Sequence, residues 1–250
     1  MNFIGIIPSR YASTRFPGKP LADMAGKTML QRVYEQAQKA LSDVWVATED
    51  ERIAQAVTDF GGNVVMTSAL HRSGTDRCYE AYRNIGQSFD VIINIQGDEP
   101  FIRPEQIETL KNCFSSPEVQ LATLVKPFGK EDGFDALFNP NSPKVALNNR
   151  LEAIYFSRSV VPYIRDVHHS EWLDRHTFYK HIGMYGYRAD VLGEITRLEP
   201  SALEKAESLE QLRWIENGYK IKVGLTDVET IGIDTPADME RALKWLAENS

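Results

Sequence analysis

The sequence predicts an α/β protein with a doubly wound, mainly parallel sheet and a mixed α+β insert. Two observations carry this prediction. Short runs of consecutive apolar residues recur along the first half of the chain, and segments with helical spacing of apolar residues separate them. Strands that are apolar throughout are typical of parallel sheets covered by helices on both faces. The length of 250 residues allows one large domain with a sizeable core.

The elements of the first half follow from this periodicity. The first predicted strand is an apolar run, Phe3–Pro8, which lacks the preceding basic residues of a signal peptide. The other predicted strands are Val44–Thr48, Asn63–Met66, Val91–Ile95 and Gln120–Val125. The predicted helices are Thr28–Leu41, Glu51–Phe60, Thr75–Ile85 and Pro104–Phe114. In the first of these helices, Met29, Val33 and Ala37 form an apolar stripe on one face.

The region from Gly129 to Arg188 differs from the first half, because its pattern predicts loops and strands. Its predicted strands are Lys144–Leu147, Ala153–Ser157 and Tyr179–Arg188. After it, the sequence predicts a helix at Leu203–Asn217, a strand at Lys220–Leu225 and a closing helix at Asp238–Glu248. No Gly/Ser/Pro linker flanks the region, so we expect a single domain over residues 1–250 with an insert at about residues 129–190 that forms a lid.

Charge and cysteine content exclude several classes of protein. The 28 Lys+Arg against 35 Asp+Glu give a net charge of −7, which argues against coating nucleic acid or an anionic membrane. A site for a single nucleotide is still compatible with this charge. Cys78 and Cys113 do not make a disulfide framework, and no run approaches the roughly 18 apolar residues of a membrane helix. We therefore expect a soluble, reduced, cytoplasmic protein.

A basic loop follows the first predicted strand and is a candidate phosphate site. Ligands of open α/β sheets bind at the carboxyl ends of the strands. Residues 1–22 contain three basic residues, Arg10, Arg15 and Lys19, and no acidic residue. Arginine forks, a lysine ammonium and backbone N–H groups suit a polyphosphate. The loop is neither a Rossmann fingerprint nor a Walker A loop, since Pro20 follows Lys19, and a solvated basic loop is the alternative.

Two aspartates are candidates for holding Mg²⁺ on a phosphate. Asp98 follows the fourth predicted strand beside Gly97, although an ordinary turn into the next helix also explains this segment. Asp234 follows the apolar run Ile231–Ile233 and precedes a helix, where helix capping is the alternative. Together with the three cations of the basic loop, these carboxylates predict a metal–triphosphate site.

Other polar motifs give weaker or negative indications. Ser73–Arg77 leads into the third predicted helix, whose N-terminal amides and hydroxyls suit a base or a phosphate, with N-capping by Ser73 as the alternative. Of the five histidines, only His168 and His169 are adjacent, and no cysteine lies near any of them, so we expect no zinc site. No G-x-S-x-G or similar nucleophile motif supports covalent catalysis.

These segments resemble the 3-deoxy-manno-octulosonate cytidylyltransferases (CMP-Kdo synthetases). The matching segments are Arg10–Leu21, Ser73–Arg77, Gln96–Pro100, Gly232–Pro236, Tyr155–Ser159, His181–Arg188 and Glu207–Arg213. They run in family order along nearly the whole chain, and Ser9 departs from the alanine more usual in the family. The resemblance implies a nucleotide-diphospho-sugar transferase-like fold and a homodimer, with the insert as lid or dimerisation region. It further implies transfer of CMP from CTP to Kdo with Mg²⁺, for lipopolysaccharide biosynthesis.

The resemblance also implies roles for individual residues. The implied CTP-binding residues are Pro8, Ser9, Arg10, Arg15, Lys19, Ser73, Gly74, Thr75, Arg77, Gln96 and Asp98. The implied sugar-binding residues are Gln96, Arg158, His181, Tyr185, Glu210 and Gln211. The implied catalytic residues are Arg15, Lys19, Asp98 and Asp234, of which Asp98 and Asp234 are the metal ligands.

The implied reaction suits these residue types. An anomeric hydroxyl that attacks the α-phosphorus in line with pyrophosphate needs positioning and charge neutralisation more than a protein nucleophile. Arg158 suits the carboxylate of an acid sugar, although a surface ion pair also explains it. His181 and Tyr185 share a strand face by alternation. The alternative for His181 is a core histidine with its hydrogen bonds satisfied, and the alternative for Tyr185 is aromatic packing. Glu210 and Gln211 fall on a predicted helix, where a solvated face is the usual explanation.

Two other functions are open at this point. One is cytidylyl transfer to another acid sugar, such as 8-amino-Kdo or a sialic acid. The other is a CTP-binding sensor without turnover, which would have no need of Lys19 and the two aspartates. The expected partners are CTP and an acid sugar, with no nucleic acid polymer and no membrane.

Overall fold

The structure, a computed structural model, describes residues 1–12, 15–228 and 232–248. Ser13 and Thr14 of the basic loop, and Ile231 of the run before Asp234, lie outside the described residues. The chain divides into two compact units, the first within residues 1–108 and 230–250 and the second within residues 109–229. The insert expected at about residues 129–190 falls within the second unit, and the single domain stays a prediction.

Nine strands and ten α-helices lie within the described residues. The strands are β1 (Phe3–Pro8), β2 (Val44–Thr48), β3 (Asn63–Met66), β4 (Val91–Asn94), β5 (Leu121–Pro127), β6 (Lys144–Leu147), β7 (Ala153–Ser157), β8 (Tyr179–Arg188) and β9 (Ile221–Leu225). The α-helices are α1 (Met29–Gln38), α2 (Glu51–Asp59), α3 (Gly74–Ile85), α4 (Pro104–Cys113), α5 (Gly133–Phe138), α6 (Trp172–Arg175), α7 (Ala189–Ile195), α8 (Ala202–Glu207), α9 (Gln211–Glu216) and α10 (Pro236–Glu248).

The first unit has the predicted parallel sheet. Its strands lie in the order β3-β2-β1-β4, and every neighbouring pair is parallel. The middle residues of β1 and β4 are fully buried, as Ile6 and Ile92 illustrate. This burial is why these strands are apolar at successive positions instead of at alternate ones. Parallel order places the carboxyl ends of β1 and β4 at the same edge, and the loops that carry the basic residues and Asp98 begin there.

Side-chain caps fix where the helices of this unit begin. Asp50 accepts from the Arg52 N–H at the start of α2, and Ser73 accepts from the Asp76 N–H at the start of α3. N-capping by Ser73 was the alternative interpretation of its motif in the sequence, and this cap is present. The Thr235 hydroxyl oxygen accepts from the Asp238 N–H, which begins α10 directly after Asp234. These caps satisfy N–H groups that no helical carbonyl can reach.

The second unit has a mixed sheet in which β8 runs antiparallel to β5 while β9 runs parallel to it. Strand β6 pairs antiparallel with both β7 and β8. Within the region read as loops and strands, the structure adds the short helices α5 and α6, which are six and four residues long. Segments of that length are too short for helical periodicity to be visible in the sequence.

The single helix predicted at Leu203–Asn217 is wrong. The chain forms α8 and α9 instead, and Ser208 between them has a left-handed φ of 52°. The Arg158 guanidinium donates hydrogen bonds to the carbonyl oxygens of Glu207 (2.6 Å) and Ser208 (3.2 Å). Because a continuous helix would use these oxygens for its own N–H groups, the contact with Arg158 favours the break. The other predicted strands and helices differ from the structure by at most three residues at either end.

A bulge in β8 shapes the face that carries the predicted sugar-binding residues. Thr123 pairs with Tyr185 whereas Leu124 pairs with Ile182, so β8 has two additional residues at this point. An insertion of two residues keeps the alternation of side chains, so His181 and Tyr185 share one face, with ring centroids 5.3 Å apart. Burial lowers the pKa of His181 from 6.5 to about 3, so the imidazole is neutral at pH 7.

None of the helices in the described ranges combines the length and the apolar character needed to cross a bilayer.

We predict that burial of neutral His181 makes the protein less stable in mild acid. The folded pKa lies below the unfolded one, so protons bind the unfolded chain preferentially as the pH falls below 6.5. Between pH 7 and pH 5 this linkage removes about 2 kcal/mol from the free energy of unfolding. Urea denaturation of the wild type and of His181→Gln measures the effect. A wild type whose pH dependence equals that of His181→Gln contradicts it.

Candidate functional site

A cavity of about 450 Å³ opens at the carboxyl ends of β1 and β4 in the first unit. Its lining residues are Pro8, Ser9, Arg10, Ala12, Arg15, Lys19, Pro20, His71, Arg72, Ser73, Gly74, Arg77, Gln96, Gly97, Asp98 and Asp234. Every residue predicted to bind CTP lines this cavity except Thr75, which is buried in the first turn of α3. The structure thus brings the dispersed sequence segments of the first unit to one place.

Two glycines allow the backbone segments around the cavity to approach closely. A Cβ on Gly97 would lie 3.2 Å from the Pro8 carbonyl oxygen, and a Cβ on Gly74 would lie 3.4 Å from the Pro8 ring. The end of β1 therefore lies against both the loop after β4 and the start of α3. A larger residue at Gly97 would push this loop, and Asp98 with it, away from β1.

Two carboxylates and two cations form a network at one side of the cavity. Lys19 Nζ donates to Asp98 Oδ2 at 2.7 Å and to Asp234 Oδ1 at 3.3 Å. Arg15 forms a bidentate pair with Asp234, with both N···O distances at 3.1 Å. The Ile233 N–H also donates to the Asp98 carbonyl oxygen at 2.9 Å, which joins the two acidic loops through the backbone. Lys19 thus neutralises two like charges that the fold holds together.

Asp98 and Asp234 fit a divalent metal that arrives with a phosphate. Among the described residues, no group of three or more His, Cys, Asp and Glu side chains is arranged to hold a metal ion. Mg²⁺ is commonly held by one or two carboxylates, with substrate phosphates and water as its other ligands. The carboxylate pair suits that donor set, and it does not suit a structural metal held by protein alone.

Two buried polar side chains of the cavity have unused hydrogen-bonding atoms. Ser9 is 3% exposed and Arg77 is 2% exposed, yet Ser9 Oγ and Arg77 NH2 have no partner among the described residues. The other terminal nitrogen of Arg77 contacts Thr67 Oγ1 and Glu49 Oε2, both at 2.6 Å. Burial lowers the pKa of Arg77, and the charge of Glu49 opposes this. Buried polar atoms without partners at a cavity wall indicate atoms supplied by a ligand.

Five further residues line the cavity and were not predicted as site residues: Ala12, Pro20, His71, Arg72 and Gly97. His71 is paired with Glu80, which also accepts a hydrogen bond from the Ser68 N–H at 2.9 Å. Burial raises the pKa of Glu80, but the hydrogen bonds with Ser68 and His71 lower it by more. The pKa of Glu80 is therefore below its usual value. The position of His71 and Arg72 directly before the Ser73 cap is the signal that could have identified them.

The predicted sugar-binding residues of the second unit include an aromatic and imidazole cluster on β8. Tyr185 packs edge-on against Trp214 of α9, with ring centroids 5.1 Å apart. Burial raises the pKa of Tyr185, and the charge of Glu210 adds to this. Gln211, the first residue of α9, is 5% exposed, and its Nε2 has no partner among the described residues. The structure therefore brings a neutral imidazole, a phenol and an amide onto neighbouring elements.

Arg158 stands apart from this cluster in its contacts. Besides the two carbonyl oxygens between α8 and α9, its guanidinium donates to the Pro140 carbonyl oxygen at 3.0 Å. Lys144, which is fully buried, donates to the Arg158 carbonyl oxygen at 2.7 Å, and burial lowers the pKa of this lysine. Arg158 thus uses three of its five N–H groups to hold backbone. Its role toward a sugar carboxylate stays a prediction, and Gln96, predicted for both substrates, lines the cavity of the first unit.

Comparison with known proteins matches these features to one family. A family model described as cytidylyltransferase matches residues 4–221. A 3-deoxy-manno-octulosonate cytidylyltransferase of Parabacteroides distasonis is 70% identical over 248 residues, which cover 99% of either chain. The enzyme of that name from Bacteroides thetaiotaomicron is 62% identical over 250 residues, which cover 100% of either chain.

Solved structures agree with the sequence comparison. The structure of CMP:2-keto-3-deoxy-manno-octonic acid synthetase complexed with CTP matches with a TM-score of 0.91 and 41% identity, and the match covers 100% of both chains. The 4-diphosphocytidyl-2C-methyl-D-erythritol synthase of Anaerococcus prevotii matches with a TM-score of 0.63 at 12% identity, over 98% of this chain and 99% of that one, which shows a shared α/β fold alone. The chain belongs to the cytidylyltransferase family, among the 3-deoxy-manno-octulosonate cytidylyltransferases.

Proposed function

We propose that the protein transfers CMP from CTP to 3-deoxy-D-manno-octulosonate (Kdo) and releases pyrophosphate, as a step of lipopolysaccharide biosynthesis. The observation that carries the proposal is the cavity in which Lys19 and Arg15 form ion pairs with Asp98 and Asp234. The relatives named for this activity and the similar structure complexed with CTP support the choice of substrates. A second candidate function has no observation in its favour.

In the proposed reaction, the anomeric hydroxyl oxygen of Kdo forms a bond to the α-phosphorus of CTP. The bond from that phosphorus to the bridging oxygen breaks, pyrophosphate leaves with the electron pair, and the hydroxyl proton passes to solvent or base. Arg15 and Lys19 stabilise the negative charge that collects on pyrophosphate, because they already lie in the cavity with their charges oriented. Mg²⁺, held by Asp98 and Asp234, would neutralise and orient the triphosphate.

In this proposal, the base and ribose of CTP lie against the cavity wall formed by Ser9 and the start of α3. Ser9 Oγ and Arg77 NH2 gain the partners that they lack within the described residues. The Ser73 hydroxyl already accepts from the Asp76 N–H, so its contribution is to shape the loop as well as to contact the nucleotide. Gly74 lets the ligand approach the backbone of this turn.

The sugar-binding assignment in the second unit is part of the same proposal. His181, Tyr185, Glu210 and Gln211 supply hydrogen bonds to the hydroxyl groups and carboxylate of Kdo, and Arg158 adds positive charge beside them. What supports this is the buried, polar character of Tyr185 and Gln211, the half-buried imidazole of His181 and the contacts between β8 and α9. Gln96 belongs to the proposed contacts of both substrates.

Three finer assignments complete the proposal. Mg²⁺ is the proposed cofactor, because the carboxylate pair suits a metal shared with phosphates. A homodimer is proposed through the insert, where Tyr163 and Phe138 expose large apolar surfaces. A cytoplasmic location is proposed, because neither Cys78 nor Cys113 is in a disulfide bond and the substrate is a nucleotide.

We predict that pyrophosphate release requires CTP and Kdo together. Release is measured with CTP, ATP, GTP and UTP, each combined with Kdo, 8-amino-Kdo and N-acetylneuraminate. We expect turnover with CTP and Kdo and little with the other nucleotides. Release with sialic acid alone would overturn the substrate and leave the reaction class intact. If no acid sugar gives release while CTP still binds, the chain is a CTP sensor.

We predict that Asp98→Asn reduces kcat by about 10²–10³-fold, since it removes one of the charges that fix the metal and Lys19. The Asp98 side chain is 34% exposed, so the loss of its ion pair changes the free energy of unfolding by about 1 kcal/mol or less. Asp59→Asn, at an exposed position near the end of α2, is the matched control. Turnover of Asp98→Asn close to that of the control would show that the metal assignment is wrong.

A further inference from the structure

Thr123 of β5 is the hydrogen-bond partner of His181 and lies at the bulge in β8. Its Oγ1 is 3.0 Å from His181 Nε2, 2.8 Å from the Met184 carbonyl oxygen and 3.3 Å from the Ile182 carbonyl oxygen. The residue is fully buried. The bulge explains these neighbours, because Gly183 and Met184 have no pairing residue on β5.

The neighbours of the Thr123 hydroxyl fix the tautomer of His181. Two of them are carbonyl oxygens, which only accept hydrogen bonds, and a hydroxyl has a single proton. That proton must point to the Met184 oxygen, since two acceptor oxygens only 2.8 Å apart would otherwise repel each other. The hydroxyl oxygen is then an acceptor toward Nε2. His181 therefore carries its proton on Nε2.

The other ring nitrogen of His181 follows from charge. Burial keeps the imidazole neutral at pH 7, so a proton on Nε2 leaves Nδ1 with a free lone pair. Within the part of the chain that the structure describes, no side chain or backbone group donates to Nδ1. Nδ1 can accept a hydrogen bond from a ligand O–H, and it would repel a ligand carboxylate.

We propose that Thr123 is a positioning residue that holds His181 as the Nε2–H tautomer, so that Nδ1 accepts a hydrogen bond from a hydroxyl group of the acid sugar. This inference rests on the proposed function and sharpens it. His181 binds a hydroxyl group of the sugar, so the carboxylate of the sugar must be bound by other residues. Thr123 itself touches no substrate. Its effect passes through the orientation and protonation of the imidazole.

The first test is a pair of variants at Thr123. Thr123→Val keeps the shape of the side chain but cannot accept from Nε2, and Thr123→Ser keeps the hydroxyl group. We expect Thr123→Val to raise KM for Kdo about tenfold, with KM for CTP within about twofold of the wild type. We expect Thr123→Ser to restore KM for Kdo to within about threefold. A KM for Kdo that Thr123→Val leaves unchanged overturns the proposal, as does failure of Thr123→Ser to restore it.

The second test reads the tautomer directly and needs no substrate. Two-bond proton–nitrogen correlation spectra of protein with ¹⁵N-labelled histidine distinguish protonated from unprotonated ring nitrogens. The His181 signals are assigned by their loss in His181→Gln. We expect Nε2 protonated and Nδ1 unprotonated in the wild type, and a partial or complete exchange of these states in Thr123→Val. A wild-type spectrum with the proton on Nδ1 overturns the proposal.

These readouts separate the inference from the proposed function. If the wild type does not turn over Kdo, the proposed function fails, and the spectrum still decides the tautomer. If Thr123→Val does not fold, the wild-type spectrum and the kinetics of Thr123→Ser still decide the matter. A wild-type proton on Nε2 with normal Kdo kinetics in Thr123→Ser supports the proposal, and either result reversed contradicts it.

Discussion

The repulsion between Asp98 and Asp234 is the constraint on which the site in the first unit depends. The Ile233–Asp98 backbone hydrogen bond (2.9 Å) holds their loops together, and one ammonium, Lys19, lies within 3.3 Å of both carboxylates. The Lys19 ammonium between the two carboxylates lowers the repulsion between these like charges. In the proposed reaction, Lys19 and Arg15 would pair with the phosphates of CTP, and Asp98 and Asp234 would then be available to hold Mg²⁺. The fold thus brings together, in one cavity, the two cations and the two carboxylates that are assigned to the reaction.

Whereas the four side chains of the network in the first unit are charged, two of the proposed binding side chains of the second unit are neutral. Its proposed sugar-binding cluster has no net charge on His181 or Tyr185, because burial lowers the pKa of the imidazole and raises that of the phenol. These two side chains act through the direction of their hydrogen bonds, and the charged members of the proposed sugar site are Glu210 and Arg158. Thr123 and the bulge in β8 determine which ring nitrogen donates and which accepts. In the proposal, charge positions the nucleotide in the first unit, and His181 and Tyr185 contact the hydroxyl groups of the sugar through directional hydrogen bonds in the second.

The sequence predicts what local pattern determines. The bounds of β1, β2 and β3 follow from apolar runs, and the meeting of Lys19 and Asp98 follows from β1 and β4, which are parallel and end at one edge. Asp234 follows no described strand, and the Ile233–Asp98 backbone hydrogen bond brings it to this place. The sequence does not predict features that depend on distant partners. The break at Ser208 depends on Arg158, 50 positions away, and the hydrogen bond of Thr123 with His181 joins residues 58 positions apart. No periodicity within a short segment contains that information.

A crystal structure of the protein with CTP bound tests whether Lys19 and Arg15 bind the triphosphate. We expect the triphosphate to lie in the cavity of the first unit, with phosphate oxygens within hydrogen-bond distance of Lys19 and Arg15. We also expect nucleoside atoms against Ser9 Oγ and Arg77 NH2, two buried polar atoms that have no partner among the described residues. A structure in which Lys19 still bridges Asp98 and Asp234 while the triphosphate lies elsewhere would contradict this expectation.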